Sequence, residues 1–66
     1  MSAETMAAVV AALRDAALSA TEAAEAVGTS RVTARRYLGQ LADSGQAERH
    51  PRYGGSGRPE VEYRWV

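Results

Sequence analysis

A mainly α, α+β domain of three helices and a C-terminal two-stranded β-hairpin is what three observations predict. Apolar residues recur at helical spacing in three successive segments, about 2–17, 19–27 and 31–44. A Ser stands at the start of each segment, and Gly follows the second and third. Beyond Gly45 the period changes to two, across about 47–53 and 60–66, with a glycine-rich stretch between the two runs. Periods near 3.6 and 2 separate helix from strand, and helices followed by strands give an α+β layering.

With 66 residues the chain forms one small domain, which buries little surface and is marginally stable. It has no cysteine, so neither a disulfide nor a cysteine-ligated metal supports it, and a reducing cytoplasm is the expected location. No apolar run reaches membrane-spanning length, and the N-terminus lacks the basic start and apolar core of a secretory signal.

The first segment, Ser2 to about Ala17, carries Met6, Val9, Val10, Leu13 and Ala17 as its apolar stripe. Ser2 suits the N-cap, and Glu4 suits the positive end of the helix dipole. The second, Leu18 to Val27, contains Ser19-Ala20-Thr21-Glu22, a capping-box pattern with Ser at N-cap and Glu at N3. Ala23, Ala24 and Val27 form its buried side, and Glu22 and Glu25 read as solvated charges. Gly28-Thr29 then turns the chain into the third helix.

That third helix, between Ser30 as N-cap and Gly45 as the left-handed closing residue, organises the rest. At about 100° per residue, Ala34, Leu38 and Leu41 cluster on one side with Tyr37 at the edge. The opposite side carries Val32, Arg36 and Gly39, flanked by Arg35 and Gln40, with Arg31 at the border. No acid occurs between Ser30 and Ala42. Taken alone, such a helix reads equally well as a solvated surface helix. Preceded by a short capped helix and a Gly-containing turn, it completes a helix-turn-helix.

In the last segment Val61, Tyr63 and Trp65 alternate with Glu60, Glu62 and Arg64, the pattern of a strand with one face on the core. Pro51 cannot donate to a ladder and belongs on an edge or near a strand end. Gly54-Gly55-Ser56-Gly57-Arg58-Pro59 is a loop by composition. A hairpin directly after a helix-turn-helix is the wing of a winged helix, with Arg58 at its tip.

Formal net charge is zero, but it is unevenly placed. Residues 1–28 hold Glu4, Asp15, Glu22 and Glu25 against Arg14, a net −3. Residues 29–66 hold seven Arg against Asp43, Glu48, Glu60 and Glu62, a net +3. Every basic residue is Arg. A GC-rich genome accounts for most of that choice over Lys, but not for where the Arg residues sit. Arg suits nucleic acid because its planar fork grips phosphate or guanine with two parallel bonds.

The combination SRVTARRYL at 30–38 with RYGGSGRPEVEYRW at 52–65, after SAET at 2–5 and the short helix between, resembles the C-terminal output domain of citrate/malate-type two-component response regulators. The resemblance covers essentially the whole chain. It implies a winged helix-turn-helix that binds promoters of organic-acid uptake or metabolism genes. It also implies a receiver domain, phosphorylated on Asp by a membrane sensor kinase, that is absent from this chain. The position of Ala23 is usually larger in such helices, so looser packing of the second helix is expected.

The expected partner is therefore double-stranded DNA, read by the helix at 30–44 in the major groove and by the wing at 54–59 on the backbone or minor groove. Arg35 and Arg36 are expected on guanine O6 and N7, and Val32 on a thymine methyl. Arg31 is expected on bases or phosphate, Ser30 and Thr33 on phosphate at the helix start, and Arg58 on the minor groove or backbone. Arg52 and Tyr53 are weaker phosphate candidates. Gly39 either leaves room for the DNA backbone or is a tolerated helix glycine. Arg49 and Arg64 are expected to pair across the hairpin with Glu48 and Glu62. A homodimer on DNA, through segments outside this chain, would raise the weak affinity of a single small domain.

No nucleophile–base pair, phosphate-binding loop or carboxylate dyad is present, and His50 has no fellow ligands. No enzyme, cofactor or metal is therefore expected. The competing function is a winged-helix module that docks another protein without DNA affinity. It predicts an exposed apolar patch, for which the Ala-rich first helix is the candidate.

Overall fold

The computed structural model describes residues 2–53 and 60–66. The chain runs α1 (Ala3–Asp15), β1 (Leu18–Ser19), α2 (Ala20–Val27), α3 (Arg31–Asp43), β2 (Ala47–Arg52) and β3 (Glu60–Trp65). Three helices precede an antiparallel hairpin, as the periodicities predict, and the fold is a winged helix-turn-helix.

Local chemistry fixes the helix ends. Ser2 Oγ accepts from the Thr5 N–H at the start of α1. At α2 the capping box is complete: Ser19 Oγ accepts from Glu22 N at 3.2 Å, and Glu22 Oε1 accepts from Ser19 N at 2.9 Å. The α2–α3 turn passes through Gly28 at φ +79°, and α3 closes through Gly45 at φ +81°. There Gln46 N donates to Leu41 O and Gly45 N to Ala42 O, the paired bonds that satisfy the last carbonyls of a helix. An L side chain at Gly45 would be held in the left-handed region at a steric cost.

The helices pack on Val9, Leu13, Ala23, Ala24, Ala34, Tyr37, Leu38 and Leu41, and the sheet adds Ala47 and Tyr63. Four of these ten are Ala. Ala23 is fully buried, so at that position the helices approach through a single methyl group. Tyr37 lies within the core, and its hydroxyl accepts from Ser2 N at 2.8 Å, tying α3 to the start of α1.

The sheet departs from expectation in one respect: it has three strands, in the order β1-β3-β2. Leu18 and Ser19, expected within or beside the second helix, pair with Tyr63 and Glu62. The first helix stops at Asp15, and Ala17 is exposed rather than part of the apolar stripe. Strand β2 pairs with β3 from Ala47↔Trp65 to Arg52↔Glu60. Pro51 therefore lies on an outer strand, where its missing N–H breaks no inner ladder.

One sheet face, with Leu18, Ala47, Tyr63 and Trp65, meets the helices. The same face runs on past the core, so Val61 is 47% exposed although it shares the parity of Tyr63. The other face carries an ion network. Arg52 Nη2 lies 2.7 Å from Glu62 Oε2 and 3.0 Å from Glu22 Oε1, and its Nη1 lies 3.8 Å from Glu60 Oε2. Arg64 Nε donates to Glu62 Oε1 at 2.7 Å. Glu22, expected as a solvated charge, thus joins α2 to the hairpin.

This network carries a pH signature. Arg52, aided by the Ser19 N–H, holds the Glu22 carboxyl below its ordinary value. Arg64 and then Arg52 do the same for Glu62. A carboxylate depressed on folding makes the unfolded chain bind more protons between the two pKa values, so stability rises with pH there. The contribution is complete above the ordinary carboxylate value of about 4.3 and is lost as pH falls through the folded values. Thermal midpoints across the acid range should fall below that value in the native chain. Arg52→Ala should fall less, since Glu22 loses its main partner; an unchanged acid limb would count against the network.

Candidate nucleic-acid interface

The outer face of α3 is built by the same register that locks its inner face. With Ala34, Tyr37, Leu38 and Leu41 buried, the helical period turns Val32, Arg35, Arg36, Gly39, Gln40 and Asp43 outward, and these six line one shallow, open depression. Val32 is 70% exposed, with Arg31, Arg35 and Arg36 exposed around it. Among the described residues none of these three Arg forms a salt bridge, whereas Arg49, Arg52 and Arg64 all do. Three guanidiniums are therefore held on one helix face with no carboxylate to displace.

At the start of α3, Ser30 Oγ accepts from Thr33 N at 3.1 Å and donates to Thr33 Oγ1 at 2.9 Å. Ser30 thus acts as the cap, and Thr33 is half-buried against it. The first backbone N–H groups of the helix remain without intrahelical acceptors. A second groove, beside the first, is lined by Arg31 and Arg35 from α3, Thr21 from α2, and Arg49, Glu60 and Tyr63 from the sheet. Arg35 borders both depressions.

The other sequence candidates fall differently. Arg58 and the loop at 54–59 lie outside the described residues. Tyr53 is 79% exposed at the end of β2. Arg52, a phosphate candidate by sequence, has its guanidinium occupied by Glu22, Glu60 and Glu62, so the structure makes it a fastener of the hairpin. Arg49 pairs with neither Glu48 nor Glu62. It reaches Asp43 at 3.3 Å and lies over the Tyr63 ring, 5.9 Å from its centroid. Arg64 pairs with Glu62, its neighbour on the same strand face. Glu48 instead meets His50, Nε2 to Oε1 at 3.1 Å.

No group of three or more His, Cys, Asp or Glu side chains converges among the described residues. No described helix is long and apolar enough to cross a membrane.

A capped short helix, a glycine turn and a third helix with an arginine-bearing outer face, followed by an antiparallel wing, define a DNA-binding domain of the winged helix-turn-helix class. Residues 7–51 match the family model described as the IclR helix-turn-helix domain. The chain belongs to that family, and it is a DNA-binding transcription-regulator domain. It is also 52% identical, over 48 residues, to the "Probable C4-dicarboxylate response regulator DctR" of Bacillus subtilis (strain 168). The match takes in 73% of this chain and 21% of that protein, so the chain spans about a fifth of its relative's length. This agrees with the resemblance to response-regulator output domains carried by SRVTARRYL and the wing sequence.

Proposed function

We propose that this chain is the sequence-specific output domain of a bacterial response regulator, with α3 seated in the major groove. The observation that carries the reading is the outer face of α3. Arg31, Arg35 and Arg36 stand exposed and free of ion pairs among the described residues, on a helix whose opposite face is fixed in the core.

In that position Arg36, directly opposite the apolar side, and Arg35 beside it reach guanine O6 and N7. Val32 meets a thymine methyl. Arg31, with Thr33 and the free N–H groups behind the Ser30 cap, lies against phosphate. Arg58 joins on sequence grounds, as a wing-tip contact to the backbone or minor groove. Tyr53, exposed at the hairpin end, remains a candidate for phosphate; Arg52 does not, because its donors are taken. The domain acts by binding and not by catalysis, in the cytoplasm at the nucleoid. Its affinity comes from two copies on repeated half-sites, brought together by a receiver domain. The relative's printed name supports C4-dicarboxylate genes as the targets.

The test is a salt titration of binding to random duplex DNA, with the bound sequences read out. The expected result is enrichment of a half-site and a log affinity that falls with log salt, by about 0.9 per phosphate contacted. If no duplex is bound even near about 50 mM salt, a range in which phosphate contacts are strong, the α3 face is a protein-docking surface and the proposal fails.

A further inference from the structure

Strand β2 brings a fourth arginine to this face, and it comes from the sheet. Arg49 and Tyr63 are register partners, so their side chains stand on the same sheet face. That face is the one packed on the helices. Its neighbour Ala47 is buried and Pro51 is exposed, so Arg49 stands where the face leaves the core and runs beside α3. Its side chain crosses that gap. Nη2 lies 3.3 Å from Asp43 Oδ1, and it is also the atom nearest to where a Cβ on Gly39 would stand, at 3.7 Å. Both residues line the outer depression of α3. Arg49 itself lines the adjoining groove with Arg31 and Arg35.

We propose that Arg49 is a sequence-independent phosphate clamp for duplex DNA, and that Asp43 occupies its guanidinium until a phosphate replaces it. The inference rests on the seating of α3 proposed above. A helix about 10–12 Å across fills a major groove about 12 Å wide. A group placed to the side of the helix, on another element, therefore meets the flanking backbone and not the base edges.

The guanidinium of Arg49 lies over the Tyr63 ring, 5.9 Å from its centroid, which narrows the positions it can take before contact. The bond to Asp43 is longer than the roughly 2.7–2.9 Å of a tight charge-assisted pair. It joins two exposed groups, at 48% and 76%, and such a pair is readily exchanged. The guanidinium is charged at any working pH, and Tyr63 first, then Asp43, favour that charged form further. Glu60, the acid of the adjoining groove, is drawn toward Arg52.

A double-mutant cycle on the 66-residue chain tests the clamp, with the selected half-site and a random-sequence duplex as probes. Arg49→Ala should weaken both by the same factor and make the salt slope shallower by about 0.9. Asp43→Asn should tighten both, and that gain should vanish in the Arg49→Ala background, the mark of a coupled pair. Should the Ala chain fail to fold, Arg49→Gln keeps part of the aliphatic side chain and removes the charge. Unchanged affinity and slope in the Arg49 variants would overturn the clamp, as would a loss confined to the half-site. A gain from Asp43→Asn that is equal in both backgrounds would overturn the role given to Asp43. If Arg36→Ala weakens binding while the Arg49 variants do not, this inference fails alone. If the native chain binds no duplex, the seating of α3 fails with it.

Discussion

Arg36→Ala should lower affinity for the selected duplex by about 5- to 150-fold. That range is the 1–3 kcal/mol carried by a bidentate arginine–guanine contact, converted at 1.4 kcal/mol per factor of ten. Arg35→Ala should fall in the same range. Neither change should move the melting midpoint, because both side chains are exposed and neither is in a salt bridge among the described residues. Surface changes of this kind stay within about 0.5 kcal/mol. The control is Arg14→Ala, which removes the same charge from α1, where Arg14 lies over Trp65 at 5.7 Å. If Arg36→Ala costs no more than Arg14→Ala, the loss is one of overall charge and the reading of the α3 face is wrong.

Leu38→Ala should have the largest effect on stability. Leu38 is completely buried, and its surroundings are short of atoms that could move into the space. Ala23, Ala24 and Ala34 share its core, and an Ala side chain has no rotamer with which to fill a void. The cost should therefore lie in the upper part of the 2–5 kcal/mol range for such truncations. Native domains hold roughly 0.05–0.15 kcal/mol per residue, so the change removes much or all of what a chain this short possesses. Urea unfolding should show the midpoint collapsing for Leu38→Ala and scarcely moving for Val32→Ala, six residues earlier on the exposed face of the same helix. A loss under about 1 kcal/mol, below the range for buried Leu truncation, would mean that the core can collapse around the gap.

The parts of the fold that sequence reading reaches are those determined within a few residues. Ser30, Gly45 and the Ser19–Glu22 box act on adjacent backbone groups, so the ends of α2 and α3 can be read locally. Strand β1 cannot. Two residues have no period, and Leu18 and Ser19 are strand only because Tyr63 and Glu62, far along the chain, pair with them. Val61 has the parity of Tyr63, but its exposure depends on where the helical layer ends. The ion pairs follow the same division. Pairing across the hairpin suggests Glu48 or Glu62 for Arg49, whereas the true neighbours, Asp43 and Tyr63, come from α3 and from the strand register. The Arg52 network stays hidden because Glu22 belongs to a distant helix. On the α3 face, the wheel separates the exposed Arg residues from the core positions correctly. What it omits is Arg49, whose only sequence signal is that it shares the parity of Ala47.

The central strand of the sheet is the last of the three in chain order. While residues 60–65 are still unmade, neither β1 nor β2 has anything to pair with, and the two helices of the motif lack Tyr63 beneath them. Formation of the sheet thus waits for β3, so the fold is completed only when the last strand in the chain has been made. A truncated product ending before Glu60 would lose the partner of both outer strands at once, and with it the tie between the α1–α2 connection and the rest of the sheet.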